Sequence, residues 1–89
     1  MTIAEFSKRA IHRHGVDVYN VEDAIMLVKL CQQEARPVLG IDAFRIFGAY
    51  IQPYMEHSID LSYEKKCYDV AISFLTDRRN LDFVYEIVY

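Results

Sequence analysis

The spacing of apolar residues along the 89-residue chain predicts three helices and three strands. Thr2 and Glu5 form a capping box, in which each residue can satisfy a free backbone N–H of the other. Ile3 and Phe6 follow at helical spacing, and Gly15 is suited to the left-handed conformation that ends many helices. We therefore expect a first helix that runs from the capping box to Gly15.

The second helix carries the strongest helical pattern in the chain. After an extended connector over residues 16–19, Asn20 is predicted to cap this helix, and Pro37 prevents its continuation. Its apolar stripe consists of Val21, Ala24, Ile25, Val28, Cys31 and Ala35, widened by Met26, Leu27 and Leu30. A helix that is apolar over most of its circumference contacts more than one neighbour, so we expect it to be the central core helix.

The next segment predicts two strands and a loop. The first strand is expected over Val38–Phe47, with Gly40 at a bulge or a close approach of two backbones. After a turn, a short second strand over residues 49–52 is expected to end at Pro53, since proline cannot donate a backbone hydrogen bond. The polar segment 54–61 is expected to be an irregular loop.

The last third of the chain predicts a helix and a strand. Ser62 is expected to cap a third helix that extends to about Arg78, with a buried face made by Cys67, Tyr68, Ala71, Phe74 and Leu75. Residues 81–89 are expected to form the last strand. A right-handed crossover would place it beside the first strand, with the short strand on the other side. The predicted fold is therefore α+β, with three helices packed on a small, mainly antiparallel three-stranded sheet.

Length and charge narrow the class of protein. Eighty-nine residues suffice for one hydrophobic core, so residues 1–89 are expected to form a single domain. Thirteen acidic residues against ten basic ones give a net charge of −3, which does not favour nucleic acid as a partner. No apolar run is long enough for a membrane span or a signal peptide. We expect no membrane association and a cytoplasmic location.

The candidate chemical groups do not form a recognisable catalytic or metal-binding motif. His12 and His14 are two residues apart, which on a helix directs their side chains to different sides, and the helix dipole explains them better than a metal does. Cys31 and Cys67 each lie on an apolar helical stripe, which predicts buried, reduced thiols. We expect no catalytic residues, no cofactor and no metal. A small enzyme is therefore the third of three functional hypotheses.

Acidic residues interrupt both main strands and occupy the polar segment between them. Strand alternation puts Asp42 on one face with Phe44 and Ile46. It puts Asp82 and Glu86 on one face of the last strand, with Val84 and Val88. One interpretation is a solvated sheet face, or a structural role for Asp42. The other is an acidic patch that binds a basic protein, with Tyr50, Tyr54, Tyr85 and Tyr89 as anchors. The candidate contact residues are Asp42, Tyr50, Tyr54, Glu56, Asp60 and Glu86.

The segment Val21–Tyr89 resembles the immunity proteins of bacterial polymorphic toxin systems, particularly the immunity protein 40 family. The resemblance lies in a strand with a Gly-x-Asp signature and an aromatic residue, at Gly40, Asp42 and Phe44, and in the aromatic-rich strand Phe83–Tyr89. Further matching segments are Gln52–Pro53 and Ser58–Asp60.

The resemblance implies an inhibitor that binds a cognate toxin domain and blocks it by occlusion. Many such toxins are basic nucleases, and an acidic inhibitor would complement their charge. The alternative is a non-catalytic adaptor or self-associating module without a toxin partner, for example a homodimer paired through sheet edges.

Overall fold

The computed structural model describes residues 1–89 and contains both helices and antiparallel strands, which confirms the predicted α+β class. A 3₁₀ turn over Ser7–Arg9 follows the first helix. The elements in chain order are α1 (Ile3–Phe6), β1 (Ile11–Arg13), β2 (Val16–Val18), α2 (Val21–Gln33), β3 (Gly40–Phe47), β4 (Tyr50–Asp60), α3 (Cys67–Thr76) and β5 (Val84–Val88).

The N-terminal capping box is confirmed, but the predicted length of the first helix is wrong. The Thr2 hydroxyl accepts the Glu5 N–H at 3.1 Å, and the Glu5 carboxylate accepts the Thr2 N–H at 2.9 Å. The α-helix nevertheless ends at Phe6 and gives way to the 3₁₀ turn. Residues 11–18, expected as helix end and connector, form the β1–β2 hairpin instead.

The turn of this hairpin explains why the first helix was predicted to extend to Gly15. His14 and Gly15 both have positive φ, +49° and +75°, as a two-residue hairpin turn of the favoured handedness requires. A glycine at such a position and a glycine after a helix have the same local signal, because both exploit the left-handed conformation. The pairing of Ile11 with Val18 completes the hairpin.

Helix α2 matches its predicted start and its central position. The Asn20 side chain accepts the Asp23 N–H at 2.9 Å, and the helix packs on both α3 and β5. Its C-terminus closes with Ala35 at φ +55°, where the Arg36 N–H donates to the Cys31 carbonyl at 2.8 Å. This is the hydrogen bond of a Schellman motif, with alanine at the position that glycine usually occupies.

The three-stranded sheet has the predicted order, β4–β3–β5, and both pairings are antiparallel. The predicted end of the second strand at Pro53 is wrong, because β4 continues to Asp60 through the segment expected as a loop. Since β4 is an edge strand with β3 on one side only, a residue without an N–H is tolerated in it.

A wide bulge interrupts β4 where the loop was expected. Ile41 pairs with Ile59 and Ala43 pairs with Tyr54, so two steps along β3 correspond to five along β4. The Ser58 hydroxyl holds the bulge, because it accepts the Ala43 N–H and donates to the Tyr54 carbonyl, both at 3.1 Å. The expected close approach at Gly40 is also present, since a Cβ there would lie 3.1 Å from the Ile59 carbonyl oxygen.

Helix α3 begins later and ends slightly earlier than predicted. Ser62 does not cap it, because the Ser62 N–H and hydroxyl both donate to the Asp60 carboxylate, at 2.9 and 2.6 Å. Such local side-chain hydrogen bonds favour a turn over a helix start. The helix starts after Lys66. Its buried residues are Cys67, Ala71 and Leu75, while Tyr68 and Phe74 are partly buried.

The main core lies between the two long helices and one face of the sheet. Ile41, Ala43, Tyr85 and Ile87 are buried there, whereas Asp42, Phe44, Val84 and Glu86 are half-buried and Val88 is exposed, as the predicted alternation requires. The last strand is shorter than expected, and its predecessor Phe83 is also buried.

The β1–β2 hairpin connects two distant parts of the sheet. Tyr19 and Tyr85 exchange two backbone hydrogen bonds of 2.8 Å at the outer edge of β5. Near the hairpin turn, the Arg13 guanidinium donates to the Gly48 carbonyl at 3.1 Å. Val18 of this hairpin is fully buried, although it is not part of the main core.

Candidate protein-binding surface

The face of β3 and β5 that points away from the main core combines acidic and apolar side chains. We call this surface the outer face, and it consists of Asp42, Phe44, Ile46, Val84, Glu86 and Val88. All six side chains keep some contact with solvent, and Val88 is exposed. Apolar groups next to carboxylates on an accessible sheet face are typical of a protein-binding surface as well as of a solvated one.

Two carboxylates oppose one another at the centre of this face. Asp42 and Glu86 are direct partners in the β3–β5 register, and we call them the acidic pair. Burial raises the pKa of the Glu86 carboxyl, with further contributions from the charges of Asp42 and Asp17 and from a hydrogen bond with Asp42. Like charges directly opposite in a sheet are destabilising. The acidic pair is therefore not a feature that serves the stability of the isolated protein.

A cleft of about 400 Å³ adjoins the acidic pair, and we call it the Gly40 cleft. Its lining residues are Leu39, Gly40, Asp42, Met55, Ser58, Ile59, Asp60, Ser62 and Val88. Three of its apolar side chains are markedly exposed: Met55 by 75%, Leu39 by 43% and Val88 by 37%. Large apolar side chains with this much exposure around a concave site favour a role in binding.

The acidic side of the cleft is built by two strands. Asp42 comes from β3, and Asp60 lies at the end of β4, where the bulge returns the chain to the register in which it pairs with Gly40. Both hydrogen bonds from Ser62, the side-chain bond more than the backbone bond, hold the pKa of the Asp60 carboxyl below its usual value. Asp60 is thus charged, and one of its carboxylate oxygens already accepts two hydrogen bonds from Ser62. Asp42, in contrast, faces another carboxylate.

Three of the six predicted contact residues are brought together here. Asp42 and Asp60 line the Gly40 cleft, and Glu86 lies across the register from Asp42. Glu56 is exposed on the β4 bulge. Tyr50 is at the tip of the β3–β4 hairpin, 70% exposed, where its ring stacks on the His14 ring at 5.5 Å.

Tyr54 lies on the opposite side of the sheet from the acidic pair. It pairs with the buried Ala43 and packs against the main core. Its ring is 5.3 Å from the Phe83 ring, and the Arg45 guanidinium lies over both rings, at 5.0 and 4.6 Å. This arrangement gives Tyr54 a packing role, which the register shift in β4 determines.

Leu39 and Met55 are part of the site but were not among the predicted contact residues. Leu39 immediately precedes the predicted strand signature, and Met55 lies in the segment expected to be a loop. The exposure of Met55 depends on the bulge and on the edge position of β4, which local sequence patterns do not indicate. In the sequence, the only feature that pointed to Met55 was its position as an apolar residue within an acidic segment.

The histidine and cysteine candidates lie elsewhere. His12 is on β1 and contacts the Asp17 carboxylate, and His14 is in the hairpin turn, so the explanation by a helix dipole is wrong. Cys31 and Cys67 are free and buried, as predicted, and burial raises the pKa of the Cys31 thiol to about 11. A thiol that stays protonated at neutral pH is a poor nucleophile.

No helix in the structure combines the length and the apolar character that crossing a lipid bilayer requires. The chain matches no protein-family model, and neither a curated protein nor a solved structure shows significant similarity to it. The outer face and the Gly40 cleft are therefore the features of the molecule that bear on its function.

Proposed function

We propose that this protein is an immunity protein that binds a cognate bacterial toxin domain, of basic character, and inhibits it by occlusion. The observation that supports the proposal best is the acidic pair, Asp42 and Glu86, opposed on an accessible sheet face beside exposed apolar side chains. The resemblance of Gly40, Asp42 and Phe44 to the immunity-protein signature concerns the same strand.

The acidic pair is energetically unfavourable in the free protein. Two opposed carboxylates repel each other, and partial burial of Glu86 adds a desolvation cost. A cation from a partner would remove the repulsion and use both carboxylates. Interfaces of this kind contain charge-paired groups within an apolar surface, and their charged residues speed association as well as adding affinity.

Inhibition by occlusion requires no chemistry from the inhibitor itself. A basic nuclease must expose a cationic surface to hold its anionic substrate. An acidic face that binds this surface competes directly with the substrate. The net charge of −3 would steer the encounter at low salt.

The second candidate, a self-associating adaptor, derives support from the exposed apolar side chains and from the free edge of β4. Two features of β4 count against pairing of two copies through this edge. Pro53 lacks an N–H, and the bulge held by Ser58 distorts the strand. Proline and bulges are common devices against edge-to-edge association.

The test is rescue from, and binding to, a toxin encoded by the reading frame next to this gene. Expression of the toxin domain in a heterologous bacterium should stop growth, and co-expression of this protein should restore it. Purified toxin domain is then titrated against single variants in which Asp42, Glu56, Asp60 or Glu86 is replaced by Lys. At least one replacement should cost about 2 kcal/mol or more of binding free energy, mainly through slower association at low salt.

Glu64→Lys is the matched control, because Glu64 is an exposed acid that lines a different cleft beside α3. It should change the association rate much less than Asp42→Lys. Each variant is checked for a wild-type circular dichroism spectrum before binding is measured. Wild-type kinetics for all four folded variants would contradict the acidic-surface mechanism, and failure to restore growth would contradict immunity.

A further inference from the structure

We infer that the Gly40 cleft receives a single arginine side chain of the partner, with the guanidinium at the acidic pair. This inference rests on the proposed function, since it names the partner group that the outer face binds. It makes the cleft, rather than the whole acidic surface, the centre of recognition.

The shape of the cleft is suited to a long side chain with an apolar stem. Gly40 lines it without contributing a side chain, while Leu39, Met55 and Val88 supply apolar surface. The volume of about 400 Å³ exceeds what one water molecule needs and lies at the low end of the range for ligand pockets. Arginine and lysine bury their methylene stems along such surfaces and keep the charged group at the polar end.

The position of the carboxylates selects the charged group. Asp42 lines the cleft, and its register partner Glu86 comes from the neighbouring strand, so two carboxylates stand side by side. Asp60 lies in the same cleft but already accepts two hydrogen bonds from Ser62. The planar guanidinium has five N–H donors in a fork and can bridge two carboxylates, which a lysine ammonium does less well.

The surroundings of the acidic pair contain no cation that would satisfy it internally. Besides burial, the charges that raise the pKa of the Glu86 carboxyl are those of Asp42 on β3 and Asp17 on β2, and neither Asp42 nor Glu86 forms an ion pair with a cationic side chain. The cleft itself is lined by two aspartates and by no lysine, arginine or histidine. The guanidinium that these carboxylates would favour must therefore come from another molecule.

The test uses a blocked tripeptide, acetyl-Ala-Arg-Ala-amide, titrated into the ¹⁵N-labelled full-length protein. Chemical shifts of the backbone amides of Gly40, Asp42 and Val88 should change saturably, with a dissociation constant in the millimolar range. The same peptide with citrulline, an uncharged isostere of arginine, should produce at least tenfold weaker binding. The lysine peptide should bind more weakly than the arginine peptide.

The matched variants are two double substitutions, one that removes both charges of the acidic pair and one that removes the same charge from a cleft elsewhere on the protein. Asp42→Asn with Glu86→Gln should abolish the saturable shifts. Asp69→Asn with Asp77→Asn, which changes a cleft of similar volume beside α3, should leave them unchanged. Equal binding of the citrulline peptide, or saturable shifts that survive loss of the acidic pair, would overturn the inference.

The outcome separates this inference from the proposed function. If Asp42→Lys abolishes toxin binding while the arginine peptide produces no saturable shifts at Gly40, the single-arginine cleft is wrong and the acidic inhibitor stands. If the peptide binds as expected but the protein does not restore growth, the cleft stands and immunity is wrong. Equal binding of lysine and arginine peptides would overturn the selection of arginine.

Discussion

Replacing Glu86 by Gln should make the protein more stable at neutral pH, although it removes a charged group from a solvent-accessible sheet face. The reason is the β3–β5 register, which places Glu86 directly opposite Asp42. Glutamine keeps the size and hydrogen-bonding capacity of the side chain and removes the repulsion. If the acidic pair serves binding, its removal should improve folding and weaken the interaction with the partner.

The expected gain follows from the geometry of the pair. Directly opposed side chains in a sheet interact by about 0.2–1 kcal/mol, with like charges on the unfavourable side. For a domain of this size, about 1 kcal/mol of added stability corresponds to an increase of roughly 4–8 °C in melting temperature. Glu86→Gln should therefore raise the melting temperature at pH 7 by about 1–8 °C.

The pH dependence of this gain has a definite sign. Folding raises the pKa of the Glu86 carboxyl above its ordinary value of 4.5, so the folded state favours the protonated form. The stability that protonation contributes is fully present below pH 4.5 and is lost as the pH rises through the raised pKa. Wild type and Glu86→Gln should be equally stable in acid, and the gap between them should open as the pH increases.

Urea unfolding, followed by circular dichroism at a series of pH values, measures this gap. Glu56→Gln is the control, because Glu56 is an exposed acid on the β4 bulge, away from the β3–β5 pairing. It should show no such opening. A Glu86→Gln variant that is less stable than wild type at pH 7, or a gap that does not depend on pH, would refute the electrostatic reasoning.

Other perturbations test the structural conclusions. Ala35→Gly should stabilise the protein by about 0.5–1 kcal/mol in chemical unfolding, since Ala35 has φ +55° and glycine adopts this conformation without strain. An unchanged free energy of unfolding would contradict backbone strain at Ala35. Tyr85→Phe should raise the free energy of unfolding by about 1 kcal/mol, because the buried Tyr85 hydroxyl has no hydrogen-bond partner. A lower free energy of unfolding would show that the hydroxyl does form a hydrogen bond. Deleting Phe83–Tyr89 removes three buried side chains worth about 1.5–3 kcal/mol each, so no cooperative thermal transition should remain, and its persistence would show that β5 is dispensable. Cys31 and Cys67 should react with a thiol reagent only after unfolding, and rapid labelling of the native protein would contradict their burial.

Several elements of this fold were predictable from the sequence, because their signals are local. Asn20 and the apolar stripe after it specify the start of α2 and its central position through side-chain spacing alone. The alternation of Asp42 and Glu86 with buried neighbours likewise put both acids on the outer face. The sheet order followed from the handedness of the crossover, which is a general property of chains of L-residues.

Only the tertiary structure decided the path of β4 and the composition of the site. Pro53 lies within a strand because β4 is at the edge of the sheet, and edge position is a property of the assembled sheet. The bulge adds an odd number of residues to β4, which turns Tyr54 toward the core and brings Asp60 beside Asp42. The periodicity of the sequence indicates which residues of one strand share a face. Which of the two faces points to the core, and which residues of the next strand lie opposite, depend on the register between strands that are distant in sequence. That register is set only when the strands pair in the folded protein.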